Sequence, residues 1–153
     1  MAIIKKCFTA LAIYFQILQV SAKDYPVSLF GISSDGVTLN TRSIQFAIDY
    51  IHQQGGGRLI FDVGKFLTGS IHLKSDVTLH LLEGSVLLGV LNPFDYDRNG
   101  FTALLLCEDA QNIAITGKGI IDGQGRQVAS LFTKGLSKMR FAMTDPKWRS
   151  GPC

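Results

Sequence analysis

Gly55-Gly56-Gly57-Arg58-Leu59-Ile60-Phe61-Asp62-Val63 is the stretch at which this chain changes its period. Before the three glycines apolar residues recur with a spacing near four; after them they alternate. Leu59, Phe61 and Val63 alternate with Ile60 and Asp62. Ile71 and Leu73 flank His72, and Val77, Leu79 and Leu81 alternate with Thr78 and His80. Val86 and Leu88 follow Gly84, Ile113 and Ile115 flank Ala114, and Ile120 and Ile121 close the series. Short runs of branched apolar residues between Gly, Asp and Asn are strands joined by turns. The chain holds 16 Gly against 4 Pro, which suits many tight turns better than a flexible linker.

Upstream of the glycines the spacing predicts a helix over 41–53. Asn40 and Thr41 are N-cap candidates. Ile44, Ala47, Ile48 and Ile51 then fall at i, i+3, i+4 and i+7, one helical face, which Phe46 and Tyr50 are expected to widen. The glycines end the helix, since Gly enters the left-handed conformation without steric cost. Residues 23–39 read as an extended lead-in with a turn at Gly31, Ser33, Ser34, Asp35 and Gly36.

Downstream, Asp76-Val77-Thr78-Leu79 and Asn112-Ile113-Ala114-Ile115 are alike and lie 36 residues apart. Each is followed by a glycine turn, Glu83-Gly84-Ser85 or Gly117-Lys118-Gly119, and a further apolar pair. Polar residues 91–100 form a loop between the two units. Without that loop the period falls in the twenties, the length of one β-helix coil. Stacked coils bury a continuous inner column and leave an open end, which an amphipathic helix can cap. The expected fold is therefore mainly β: a solenoid of parallel coils capped by the helix at 41–53.

Residues 1–22 are set apart from this domain. Lys5 and Lys6 precede an apolar run from Cys7 to Val20, broken only by Thr9, Gln16 and Gln19, and Val20-Ser21-Ala22 ends it with small residues. This is the layout of a secretory signal peptide, with cleavage expected after Ala22. The run is shorter than the roughly 20 residues that a membrane-spanning helix needs. Loss of Lys5 and Lys6 leaves 13 Lys and Arg against 12 Asp and Glu, a net charge of +1 in place of +3. No basic run remains, which argues against a nucleic-acid partner. Hydrophobic residues at 46% and charged residues at 18% exclude a disordered chain. Cys107 follows Leu104-Leu105-Leu106 and reads as a buried thiol, and Cys153 is the last residue. Their spacing supports neither a disulfide framework nor a metal-type Cys/His pairing.

Four segments, in this order, carry a resemblance to a known family. Asn40-Thr41-Arg42-Ser43-Ile44-Gln45-Phe46-Ala47-Ile48-Asp49 resembles the capping helix of family 28 glycoside hydrolases, the polygalacturonase and rhamnogalacturonase group. Gly55-Gly56-Gly57-Arg58-Leu59-Ile60-Phe61 resembles their glycine turn into the first strand. Residues 64–81 look like their first coils, and Ile115-Thr116-Gly117-Lys118-Gly119-Ile120-Ile121-Asp122-Gly123-Gln124-Gly125 like the turn that opens the next coil. The resemblance covers residues 25–125 and implies a right-handed parallel β-helix of the pectin lyase-like kind. Residues 23–153 are then expected to be the N-terminal, incomplete part of a single domain. The implied activity is inverting hydrolysis of O-glycosidic bonds in polygalacturonan or rhamnogalacturonan. One carboxylic acid protonates the leaving oxygen while carboxylates activate a water on the opposite sugar face. The implied protein is secreted to the periplasm or beyond, is a monomer when full length, and needs no cofactor or metal.

The family's catalytic aspartates lie in an Asn-Thr-Asp-Gly segment and an Asp-Asp pair, followed by Gly-His-Gly and Arg-x-Lys. None of these occurs in residues 1–153, so no residue here is assigned a catalytic, cofactor-binding or metal-binding role, and this polypeptide alone is expected to be inactive. Residues 23–153 expressed alone are also expected to aggregate or stay partly unfolded, because an open coil end exposes core. Individual residues have plainer readings than catalysis. Asp122 before Gly123 reads as a turn aspartate. Asp95 and Asp97 suggest calcium, but calcium asks for six or more oxygens and the loop reads as solvated. His72 and His80 lie on similar strand faces without a third zinc ligand. Tyr96, Phe101 and Trp148 suit loop packing better than sugar stacking. Gly117-Lys118-Gly119 lacks the rest of a phosphate loop. Two other functions fit the same coils: a polysaccharide lyase using calcium and a basic residue, and a non-catalytic polysaccharide-binding or adhesin β-helix. Sequence beyond Cys153 separates the three. Residues 126–153 show no period and read equally as a long loop or another coil.

Overall fold

The computed structural model describes residues 23–97 and 103–130. The expected leader (residues 1–22), Phe101, Trp148 and most of the 126–153 tail lie outside them; residues 125–130 are helical. Among the described residues nine strands lie in three sheets, all pairings parallel. The first sheet runs β1 (Asp24–Pro26), β2 (Gly57–Phe61), β5 (Val77–Leu81), β8 (Ala114–Gly117). The second runs β3 (Gly64–Thr68), β6 (Ser85–Gly89), β9 (Ile120–Asp122), and the third pairs β4 (Ile71–Leu73) with β7 (Leu105–Cys107). The chain visits the three sheets in turn and then climbs one layer. Crossovers between parallel strands of one sheet are right-handed, because only that hand lets a twisted strand pack back onto its sheet. The fold is a right-handed parallel β-helix.

Register explains the two coil lengths. Gly57 lies beside Val77, and Gly64 beside Ser85, so the first full coil takes 20 to 21 residues. Thr78 lies beside Ala114, 36 positions on, because the insertion after β6 falls inside that coil. The sequence repeat is a turn repeated in space. Asp76 and Asn112 both take positive φ, 65° and 54°, and the Asn112 amide donates to Asp76 Oδ1 at 2.9 Å.

The inner column is built from alternate residues. Leu59, Leu79 and Ile115 stack in the first sheet, and Phe66, Leu87 and Ile121 in the second. Leu59, Phe61, Phe66, Ile71, Val77, Leu79 and Leu87 are fully buried or nearly so. Three readings need correction. Val63 is 71% exposed, because β2 ends at Phe61 and the chain is already turning. In β6 the inward residues are Ser85, Leu87 and Gly89, so Val86 and Leu88 face out. Cys107 is exposed although it lies in register with inward Leu73. It belongs to the last described layer, where Ile115 and Ile121 are also 44% and 42% exposed. No described strand pairs beyond β7, β8 and β9.

The helix α1 (Thr41–Gln53) closes the other end, with Ile44, Ala47, Ile48 and Ile51 wholly buried. Phe46 and Tyr50 do not widen that face. A turn of about 100° per residue carries them to its far side, where Phe46 is 63% exposed. Asn40 occupies the N-cap position but does not cap. Its Oδ1 accepts from Ser33 N–H, and its amide donates to the Ser33 and Thr38 carbonyls, all at 2.9 Å, which fastens the lead-in. Gly56 and Gly57 answer a close approach as well as a turn: a Cβ on either would lie 2.6 Å from a backbone oxygen, of Asp76 or of Lys23.

Asp35 organises the lead-in turn. Its carboxylate accepts from the N–H groups of Val37 and Thr38 at 2.9 and 2.8 Å and from the Thr38 hydroxyl at 2.6 Å. The Thr38 hydroxyl above all, then these amides, holds the carboxyl down at about 2, against an ordinary 3.8. A depressed folded value means the turn stabilises the fold above pH 3.8 and loses that contribution as pH falls toward 2. Asp35→Asn, which cannot ionise, should flatten this part of the acid limb of a stability-versus-pH curve. An Asp35 carboxyl that titrates near 3.8 by NMR in the folded chain contradicts the assignment.

Candidate functional site

Outward strand positions and inter-strand turns are where a solenoid presents chemistry. On the first sheet Arg58 Nε and Nη2 each meet one carboxylate oxygen of Asp24 at 2.7 Å, a bidentate pair that ties β2 to β1. The guanidinium beside Asp24 lowers that carboxyl and is itself raised. Farther along the sheet His80 Nδ1 meets Thr116 Oγ1 at 2.7 Å. A groove of about 440 Å³ opens beside these strands, lined by Lys23, Tyr25, the three glycines, Arg58, Thr78 and Asn112. Of the three glycines only Gly55 faces open space there; Gly56 and Gly57 lie too close to the Asp76 and Lys23 carbonyls to carry a side chain.

The third sheet carries the second cluster. His72 Nε2 lies 3.0 Å from Asp97 Oδ2. The Ser70 hydroxyl donates to the Ala103 carbonyl at 2.7 Å and accepts from Asp97 N–H at 2.8 Å, so one serine grips the insertion on both sides. Tyr96 is buried, and its hydroxyl donates to the Val90 carbonyl at 2.7 Å; burial raises its pKa. The Asn92 amide donates to Asp95 at 3.1 Å. Each of these contacts packs and orders the loop.

The residues singled out from sequence therefore separate. Asp122 closes a turn by accepting from Gln124 N–H at 2.9 Å. Asp97 is held by His72, and Asp95 by its own loop. His72 and His80 belong to different sheets, which corrects their placement on one similar face. No group of three or more His, Cys, Asp or Glu side chains suited to a metal lies among the described residues. No described helix is long and apolar enough to cross a membrane. Sequence reasoning missed the Asp24–Arg58 and His72–Asp97 pairs, whose partners lie 34 and 25 positions apart. The 34-residue offset between β1 and β2 emerges only once the helix is known to occupy most of a coil.

No family model matches the chain. It is 40% identical over 117 residues to an exo-poly-alpha-D-galacturonosidase of Dickeya chrysanthemi, covering 65% of this chain and 19% of that protein. A crystal structure described as a candidate glycosyl hydrolase of Parabacteroides merdae superposes with TM-score 0.71 and 53% identity, over 77% of this chain and 52% of that one. The family 28 exopolygalacturonase of Yersinia enterocolitica superposes with TM-score 0.59 and 36% identity, over 67% of this chain and 21% of that one. The chain thus spans between 19% and 26% of the length of the first curated relatives it matches.

Proposed function

We propose that this chain, whose sequence and coils match those of family 28 glycoside hydrolases, is part of an enzyme that hydrolyses O-glycosidic bonds of pectic polysaccharide. Fold alone does not carry this, because parallel β-helices serve several activities. The supporting observation is that sequence and geometry lead independently to relatives of one kind, named as polygalacturonases or exo-galacturonosidases. The superposition on the Yersinia exopolygalacturonase brings 36% identity with it.

In this reading the described residues are the capped end of the stack. They hold the first coils in register and leave the acid and base to coils outside residues 1–153. The reaction is an inverting hydrolysis, with a carboxylic acid protonating the leaving oxygen and an ionised carboxylate activating water. The protein is exported, loses its leader after Ala22, and meets its polymer in the periplasm or outside the cell.

Two measurements test this. The 153-residue chain, given polygalacturonan or rhamnogalacturonan, should release no reducing ends; turnover would move the chemistry into these residues. Residues 23–125, grafted in place of the matching coils of the Yersinia enzyme, should leave it folded and able to cut polygalacturonan. A folded chimera without activity would count against the family reading.

A further inference from the structure

The outer side of the capping helix is built unlike a plain solvent face. Its inner side already does the capping, through Ile44, Ala47, Ile48 and Ile51. Yet Phe46 is 63% exposed and Leu29, on the adjoining turn, 68%. Both line one groove, and apolar groups gathered at one place on a surface, unlike singly exposed ones, mark binding sites. The rings are ordered. Phe46 and Tyr50 lie within 30° of parallel with centroids 6.5 Å apart. Phe30 meets both edge-on, at 71° and 63°, and Tyr25 meets Tyr50 at 85°. Two rings of similar orientation, braced from below by two others, make a platform formed in advance, which lowers the entropy lost on binding. Together with Lys23 and Leu29 they line a shallow groove of about 400 Å³.

Cations stand at both ends of the platform. Arg42 is exposed one turn before Phe46, so Arg42, Phe46 and Tyr50 form a stripe at i, i+4 and i+8. Lys23 is exposed at the other end, its ammonium 5.1 Å from the Tyr25 ring centroid. Of the nearby carboxylates, Asp24 is neutralised by Arg58 and Asp49 accepts from the Gln45 amide. The surface is thus a shallow aromatic groove with cations at its margins. The apolar face of a pyranose suits the rings, and a carboxylate on the sugar suits the flanking cations.

We propose that this platform is an accessory binding surface for an acidic polysaccharide chain of the pectic type, on the outer side of the cap where it meets the first strand. The choice of polymer rests on the proposed function; the platform itself does not. Titration of the full chain with oligogalacturonates, by calorimetry or NMR, tests it. Binding should weaken about tenfold in Phe46→Ala and in Phe46→Leu, and should weaken with salt and in the Lys23→Ala/Arg42→Ala double variant. Phe46→Leu keeps the apolar packing but removes the ring face, so it tells sugar stacking from a structural role. Three results overturn the proposal: binding unchanged in both Phe46 variants, equal binding of neutral cello-oligosaccharides, or binding of anionic lipid vesicles in place of oligogalacturonate. A wild-type chain that binds no pectic oligosaccharide on any surface overturns this and weakens the functional reading too. Binding that is insensitive to Phe46 overturns the platform alone.

Discussion

Phe61→Ala should cost about 3–5 kcal/mol of stability, the largest effect of any single truncation proposed here. The side chain is wholly buried, and its ring meets Phe66 edge-on with centroids 5.2 Å apart. Phe61 lies in the first sheet and Phe66 in the second, so their contact closes a corner of the coil. Leu81 lies directly above Phe61 in register. Neighbours fixed by two backbone ladders cannot collapse into the space left behind, which places the cost at the upper end of the range for a cavity. Val63→Ala is the control. Simple alternation makes Val63 the next inward residue after Phe61, but the turn puts it in solvent, and its truncation should change stability by no more than about 0.5 kcal/mol. Urea unfolding of the chimera carrying residues 23–125, with a common slope, measures both. Comparable losses at the two positions would mean that β2 continues through Val63 and that the register is wrong.

That contrast marks how far the sequence could be read. The helix at 41–53, the strands and the 36-residue repeat were legible because burial of one face imposes a period on residue type. The repeat was clearest where backbone conformation was also constrained, at Asp76 and Asn112. Periods say nothing about where a strand stops, hence the errors at Val63 and β6. They are equally silent on what lies above a given layer. Cys107 takes an inward position, but its exposure is set by the neighbouring coil and not by its own flanking leucines. Polar residues in the interior were invisible for a different reason. Thr68 and Ser85 are fully buried with their hydroxyls bonded to the Gly69 and Leu82 carbonyls, a solution that only the folded backbone offers. Asn40 looked like a helix cap because that is its commonest task, and the structure uses it to hold Ser33, seven positions back. For the site, sequence allowed the negative assignment of Asp122 as a turn residue, but not the long-range clamps through Ser70, Arg58 and His72.

Gln45→Met should destabilise the protein by about 2–4 kcal/mol, although it conserves length and helix propensity. The reason lies at the capped edge of the first coil. There β2 is paired with β1, and β3 is met by the lead-in through the Lys65 carbonyl and amide and the Leu67 carbonyl. In place of a strand, β4 has the helix above it. Gln45 substitutes for the missing strand: its Oε1 accepts from His72 N–H at 2.8 Å, and its Nε2 donates to the His72 carbonyl at 3.0 Å. Asp49 Oδ1 accepts from the same amide nitrogen at 3.1 Å, which fixes which end of the carboxamide is the donor. Without it two part-buried backbone groups lose their partner, at about 1–3 kcal/mol each when left unsatisfied. Gln45→Glu separates this from lost packing. A carboxylate still accepts from His72 N–H but opposes the carbonyl, whereas a protonated carboxyl restores a donor. Only the neutral form makes both bonds, so the folded pKa of that side chain should rise. The penalty of Gln45→Glu is then smallest at low pH and grows as pH climbs through about 4.3 and above. Hydrogen exchange at His72 N–H should accelerate in Gln45→Met. If Gln45→Met melts with the parent and leaves that amide protected, the helix caps the coil by burial alone and the strand-mimicking role of Gln45 is refuted.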